Sequence, residues 1–320
     1  MIDRSMTTAR RRHSCGTTQS STAFTSVTLA IIALFSVTCA ASPDPAPAPG
    51  PTVAASASPD PAPASGPTVA AHALFSYMEN TANGPGHWGS LEPDWAICRD
   101  GKEQSPIDIS KMEAAQDMGP LEYTYTAGDC TVQNQGHDFV LKWKEGNGKL
   151  TVEKKDYVLQ QVHWHVPSEH TINGTRLDME MHMVHQDSSK ARAVLSVFFS
   201  KRQPGDPSKL LTGLEPYFKR LARKNNMDED VTELVDPSPW VDKTSGYYRY
   251  EGSLTTPPCS EGVIWTIMSK VKHVKEEQVK LLDAVSVVEE SNFRPAQKIN
   301  GRVVRYYEGE PAKSEEEKEP

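Results

Sequence analysis

Gln161-Val162-His163-Trp164-His165, answered further along by Glu180-Met181-His182, is the stretch from which this fold can be read. Side chains alternate across a β-strand, so Gln161, His163 and His165 share one face while Val162, Trp164 and Val166 take the other. The turn-rich Asn173-Gly174-Thr175 separates this segment from a second strand expected over 177–185. There Asp178, Glu180, His182 and Val184 share a face by the same period. Antiparallel pairing of the two strands brings three imidazoles to one point. Three neutral nitrogen ligands with an open fourth position form the arrangement of a catalytic zinc site. Gln161 and Glu180, on the same faces, stand where they can hold the rear nitrogens of the rings.

Two other readings compete. A bare His-x-His on an edge strand is often two solvent-facing rings, but a third histidine, its same-face glutamate and Glu169 nearby favour a site. The spacing His163-x-His165-x3-Glu169 also matches the first metal motif of the cupins. The glycines that motif wants are missing, since Tyr157 and Arg176 stand in the flanking positions.

The 320 residues allow one large domain or two small ones. Residues 27–40 form an apolar run preceded by Arg10, Arg11 and Arg12 and followed by small residues. This reads as a signal peptide over 1–40, too short to span a bilayer, with cleavage near Ala40 or Ala41. Then Ala41 to Ala55 recurs as Ala57 to Ala71 with a period of 16 and one change, Pro49 becoming Ser65. Such a Pro/Ala-rich stretch, 41–73, cannot build a core and reads as a tether. The acidic, lysine-containing 308–320 reads as a solvated tail. One globular domain, 74–307, remains.

The formal charge of −8 includes a leader of +3, from Arg4 and the three clustered arginines against Asp3, so the exported chain carries about −11. That surface argues against nucleic acid or an anionic membrane as partner. The expected location is an exported one, extracellular in the first instance, with a periplasmic space or plastid lumen as alternatives. Of five cysteines, Cys15 and Cys39 leave with the leader. Cys98, Cys130 and Cys259 remain, which suits one disulfide and one free thiol in an oxidising compartment. Asn173-Gly174-Thr175 is also a glycosylation sequon.

Strand patterns dominate the domain, over 131–135, 139–143, 149–153, 157–166, 177–185, 193–200 and 262–269. Helical spacing occurs over 207–224, where Pro216 is expected to break the helix in two, and over 275–284. The fold class is therefore mainly β with an α+β periphery.

These segments resemble an α-class carbonic anhydrase of the plant and algal kind over 75–307. The resemblance rests on Asn83-Gly84-Pro85-Gly86-His87-Trp88-Gly89, Gln104-Ser105-Pro106-Ile107-Asp108, Asn134-Gln135-Gly136-His137-Asp138-Phe139, the histidine strands, Gly252-Ser253-Leu254-Thr255-Thr256-Pro257-Pro258 and Asn292-Phe293-Arg294-Pro295-Ala296-Gln297, in family order. It implies a single domain around a central, largely antiparallel sheet of about ten strands. It also implies Zn2+ held by His163, His165 and His182, and reversible hydration of CO2 to bicarbonate and a proton by a zinc-bound hydroxide.

By the same resemblance Thr255 accepts a hydrogen bond from that hydroxide and donates to Glu169, while His137 shuttles the proton to solvent. Gln161, Glu180 and Asn292 form the outer support of the ligands. Val184, Val194, Leu254 and Trp265, with Thr255 and Thr256, line the substrate space. Tyr77 matches a tyrosine of the family's ordered-water path, whereas Val140 and Gln135 replace asparagines there. Cys98 and Cys259 match the cysteine pair of exported members, leaving Cys130 free. The rival function is a catalytically silent binding module of the same fold, set aside because all three histidines, Glu169 and Thr255 are present. Oligomeric state is not legible in the sequence.

Overall fold

A computed structural model of the chain describes residues 75–205, 208–286 and 291–310. The expected leader, the repeat and residues 311–320 of the expected tail lie outside the described residues. No described helix is long and apolar enough to cross a membrane.

A thirteen-stranded sheet carries the domain, with ten strands following one another across it. At its centre Phe139–Trp143, Lys155–His165, Met179–Gln186 and Arg192–Ser200 lie side by side, all antiparallel. Beyond them come Glu261–Met268, Ser245–Ser253 and Arg305–Gly309. The sheet is mixed rather than wholly antiparallel. Arg192–Ser200 runs parallel to Glu261–Met268, and Arg305–Gly309 runs parallel to the edge strand Glu113–Ala114. The last strand ends at Gly309, just past the expected edge of the domain at 307.

Alternation explains why two cores form. Val162 and Trp164 of one histidine strand, with Met179, Met181 and Met183 of the next, are buried in the larger cluster behind the sheet. There Trp164 meets the rings of Phe218 and Trp240 edge-on. Burying such an indole contributes on the order of 3 kcal/mol or more. Val194, Phe198, Trp265 and Ile267 form a second cluster on the opposite face, the one that carries the histidines.

Helix Lys209–Leu221 runs unbroken through Pro216, against the expected break. Its missing N–H costs about 3 kcal/mol. Leu211, Leu214, Tyr217, Phe218 and Leu221, all buried against the sheet, offset that cost. The Ser208 side chain also accepts from Leu211 N at the start of the helix. Strand Ser245–Ser253 was not legible in the sequence, because Arg249 and Glu251 interrupt its apolar pattern. Gly252 is required within it: a Cβ there would lie 2.2 Å from Ser105 Oγ.

On the core side of Met179–Gln186, after a register shift between Val184 and His185, the His185 ring is fully buried with its Nε2 2.8 Å from Tyr125 Oη. Burial pushes its pKa down to about 4. The unfolded chain, with the ordinary value near 6.5, binds a proton there that the folded chain refuses. Stability from this group is therefore complete above about pH 6.5 and is lost as pH falls towards 4, by about 3 kcal/mol in all. Urea midpoints across this window should fall less steeply for His185→Gln than for the parent. Parallel curves would show that His185 does not govern the acid limb.

Candidate metal centre

The pairing of the two central strands sets His182 opposite His163, Glu180 opposite His165 and Val184 opposite Gln161. Their three ring centroids are 4.6 to 5.1 Å apart. One nitrogen from each ring lies within 4.8 Å of the other two. His165 and His182 are buried, and His163 is half-buried.

The rear nitrogens determine which lone pairs face inward. His163 Nδ1 lies 2.9 Å from Gln161 Oε1, and His165 Nδ1 lies 2.6 Å from the main-chain carbonyl of Asn292. His182 is turned the other way, its Nε2 2.8 Å from Glu180 Oε1. The inward set is thus Nε2, Nε2 and Nδ1. Asn292 supports His165 through its backbone, while its side-chain amide bridges Trp164 O and Val166 N. Burial lowers the pKa of all three imidazoles, His163 most clearly because the neighbouring rings add to the effect. They stand neutral at pH 7, as metal ligation requires.

Glu180 is saturated. Its Oε1 receives His182, His170 Nδ1 at 2.7 Å and Ser196 Oγ at 2.6 Å, and its Oε2 accepts the backbone N–H groups of Glu169 and His170. Burial pushes this carboxyl up, but the neighbouring His170 and His182 hold it well below the carboxylate range. His170 continues the chain outward, its Nε2 2.7 Å from Tyr250 Oη, which meets Ser105 Oγ at 2.8 Å. Sequence reasoning missed His170, Ser196, Tyr250 and Ser105. The only local signal was His170 directly after Glu169, in a loop where no periodicity assigns a direction.

Glu169 is fully buried and accepts Arg294 N–H on Oε1 at 2.8 Å. Its Oε2 lies 3.5 Å from His165 Nε2. Burial raises its pKa to about 7, against the pull of His182 and the Thr255 hydroxyl. Oε2 has no hydrogen-bond partner among the described residues. Arg294 was also missed as an individual residue. Its guanidinium is buried, bonded to Gln104 Oε1 and to the carbonyls of Ser105 and Cys98.

Val184, Val194 and Trp265 lie in one row across three strands beside His182, the Trp265 ring 4.8 Å from it. Leu254 packs against the same cluster. Thr256 sits in the following turn, its carbonyl accepting Cys259 N–H. Val140 pairs opposite His163, placing an apolar side chain on the metal side of the sheet. The Gln135 amide turns to Gln133.

His137 is half-buried, its ring 5.3 Å from Phe75 and 6.1 Å from Tyr77. Cys98 and Cys259 form a disulfide, and Cys130 is free and buried. Asn173 is exposed at a hairpin tip with φ of 48°, a conformation asparagine tolerates.

Residues 83–308 match the family model of the eukaryotic-type carbonic anhydrase. Alpha carbonic anhydrase 7 of Arabidopsis thaliana is 39% identical over 236 residues, covering 73% of this chain and 84% of that protein. Among solved structures, dioscorin complexed with ascorbate superposes with a TM-score of 0.70 at 39% identity, covering 75% of this chain and 99% of dioscorin. The α-carbonic anhydrase of Thermovibrio ammonificans, complexed with the inhibitor sulfanilamide, gives 0.65 at 35% identity and covers 72% and 98%.

Proposed function

This chain belongs to the eukaryotic-type carbonic anhydrase family, and on that premise we propose that it binds one zinc ion and catalyses reversible hydration of CO2 to bicarbonate and a proton. The observation that carries the proposal is the inward set of three neutral nitrogens, each fixed by a separate acceptor behind its ring. The donor set fits zinc: among the described residues His165 Nε2, buried beside the other two inward nitrogens, has no hydrogen-bond partner, as suits a metal ligand. Zinc held there supplies Lewis acidity that lowers the pKa of a bound water from 15.7 towards ~7.

The chain's own residues supply the rest. Gln161, Glu180 and the Asn292 carbonyl fix tautomer and ring orientation. Thr255 and Glu169 form the polar side of the site, where a hydroxyl between nucleophile and carboxylate orients a lone pair towards CO2. Val184, Val194, Leu254 and Trp265 form the apolar side, which receives CO2 and gives no hydrogen bond to hold it. Thr256 borders this space. His137 takes the released proton towards solvent. The acidic chain carrying these groups works outside the cytosol, after removal of 1–40, with 74–307 as the catalytic domain and Asn173 open to glycosylation.

Stopped-flow CO2 hydration by the mature chain, with zinc counted by elemental analysis, tests this reading. About one zinc per chain and rapid hydration are expected. Zinc without hydration would favour the silent binding module, and no zinc would remove both. His137→Ala should slow turnover at low buffer concentration by roughly tenfold or more while leaving CO2–bicarbonate interconversion intact, with imidazole restoring part of the rate.

A further inference from the structure

A cavity of about 260 Å3 opens where strands Ser245–Ser253 and Arg305–Gly309 pair, and none of its lining residues is a proposed metal ligand or substrate contact. Three arginines line it, Arg249, Arg302 and Arg305, together with Glu103, Glu153 and Glu251. Arg249 and Arg305 stand directly opposite each other in the antiparallel pair. Like charges so placed are destabilising unless a counter-charge answers them. Arg305 has one in the exposed Asp117. Arg249 has no carboxylate within 4 Å among the described residues. Its half-buried guanidinium gives Nε and Nη2 to the Thr266 hydroxyl at 3.2 and 3.1 Å and lies over the Tyr247 ring. Burial lowers its pKa against the pull of Tyr247 and Glu153.

Arg302 is already engaged, its nitrogens donating to the carbonyls of Ile299, Glu251, Gln104 and Lys298. The carboxylates are as unmatched as Arg249. Among the described residues, none of the three glutamates forms an ion pair within 4 Å. Glu251 lies two residues on from Arg249, so the two side chains leave the same face of the strand ~7 Å apart. Ile264 and Val303 add an apolar part to the wall.

We propose that this cavity binds a small zwitterion whose carboxylate and ammonium stand several bonds apart, as in a dipeptide. The carboxylate sits between Arg249 and Arg305, where charge-assisted hydrogen bonds relieve their repulsion. The ammonium lies against Glu251. A simple anion would meet the same arginines but also three glutamates, and a simple amine the reverse. A molecule with both charges uses the free groups of each sign. An extended dipeptide separates its charged ends by about 5–7 Å, which matches the spacing along the strand, whereas an α-amino acid is too short. The inference goes beyond the proposed function and does not rest on the metal centre.

Glycylglycine is the probe, titrated into the 15N-labelled full chain and followed by amide chemical shifts. Saturable shifts are expected in Ser245–Ser253 and Arg305–Gly309, with acetate and ethylamine binding at least about tenfold more weakly. Arg249→Gln and Glu251→Gln should each weaken glycylglycine binding by roughly fivefold or more. Glu251 is exposed, so its variant decides the matter should Arg249→Gln fail to fold. No saturable shift in these strands up to about 50 mM glycylglycine would overturn the proposal. Equal affinity for acetate, or unchanged affinity in Glu251→Gln, would do the same.

Discussion

Alanine in place of His182 is expected to abolish CO2 hydration, leaving less than about one hundredth of the parental rate, with zinc falling well below one per chain. Two imidazoles cannot complete a site that needs three ligands and an open position. The loss should come from the metal and not from unfolding. Glu180 keeps its bonds from His170, Ser196 and two backbone N–H groups when the ring is removed. Elemental zinc, hydration rate and the urea midpoint of the metal-free proteins should be measured on parent and variant together. Glu180→Gln gives a graded comparison: it removes the charge behind His182 but not the ligand, and should cost tenfold to a hundredfold. Undiminished hydration with normal zinc in His182→Ala would rule out the assigned ligand set.

The second large effect belongs to the disulfide. Cys98 and Cys259 are 161 residues apart, so the link constrains most of the unfolded domain. Removing it through Cys98→Ser with Cys259→Ser should lower stability by about 2–5 kcal/mol. The bridge also lies close to the chemistry. Gln104 Nε2 donates to Cys259 O, and Arg294 donates from its guanidinium to Cys98 O and from its backbone to Glu169. Thr255 lies four residues before Cys259, immediately ahead of the turn that Cys259 N–H closes on Thr256 O. Activity should therefore fall too, by less than stability does, because these hydrogen bonds survive when the sulfurs separate. Urea midpoints of the oxidised, reduced and serine proteins measure the first effect, and hydration at saturating zinc measures the second. Equal midpoints for all three would show that the link constrains nothing that folding must order.

Period-two alternation made the face of each histidine legible without coordinates, because it depends only on neighbouring residues along one strand. Trp164 and the methionines facing the core, opposite His163 and His182, follow from the same pleat. Motif order likewise carried the cysteine pair and the family. Pro216 misled for the converse reason: its local cost is real, but a buried face contributed by five other side chains outweighs it. The nitrogen each ring offers was not legible. His163 is settled by Gln161, two residues away on its own strand. His165 is settled by a carbonyl 127 residues distant, and His182 by a glutamate that His170, Ser196 and two loop amides hold in place. The gathering of His163, His165 and His182 on one face was legible from the sequence, since strand geometry is a local property of the backbone. How those rings are oriented depends on the assembled fold, since a hydrogen-bond partner is chosen by whatever the fold brings within 3 Å, at any distance along the chain.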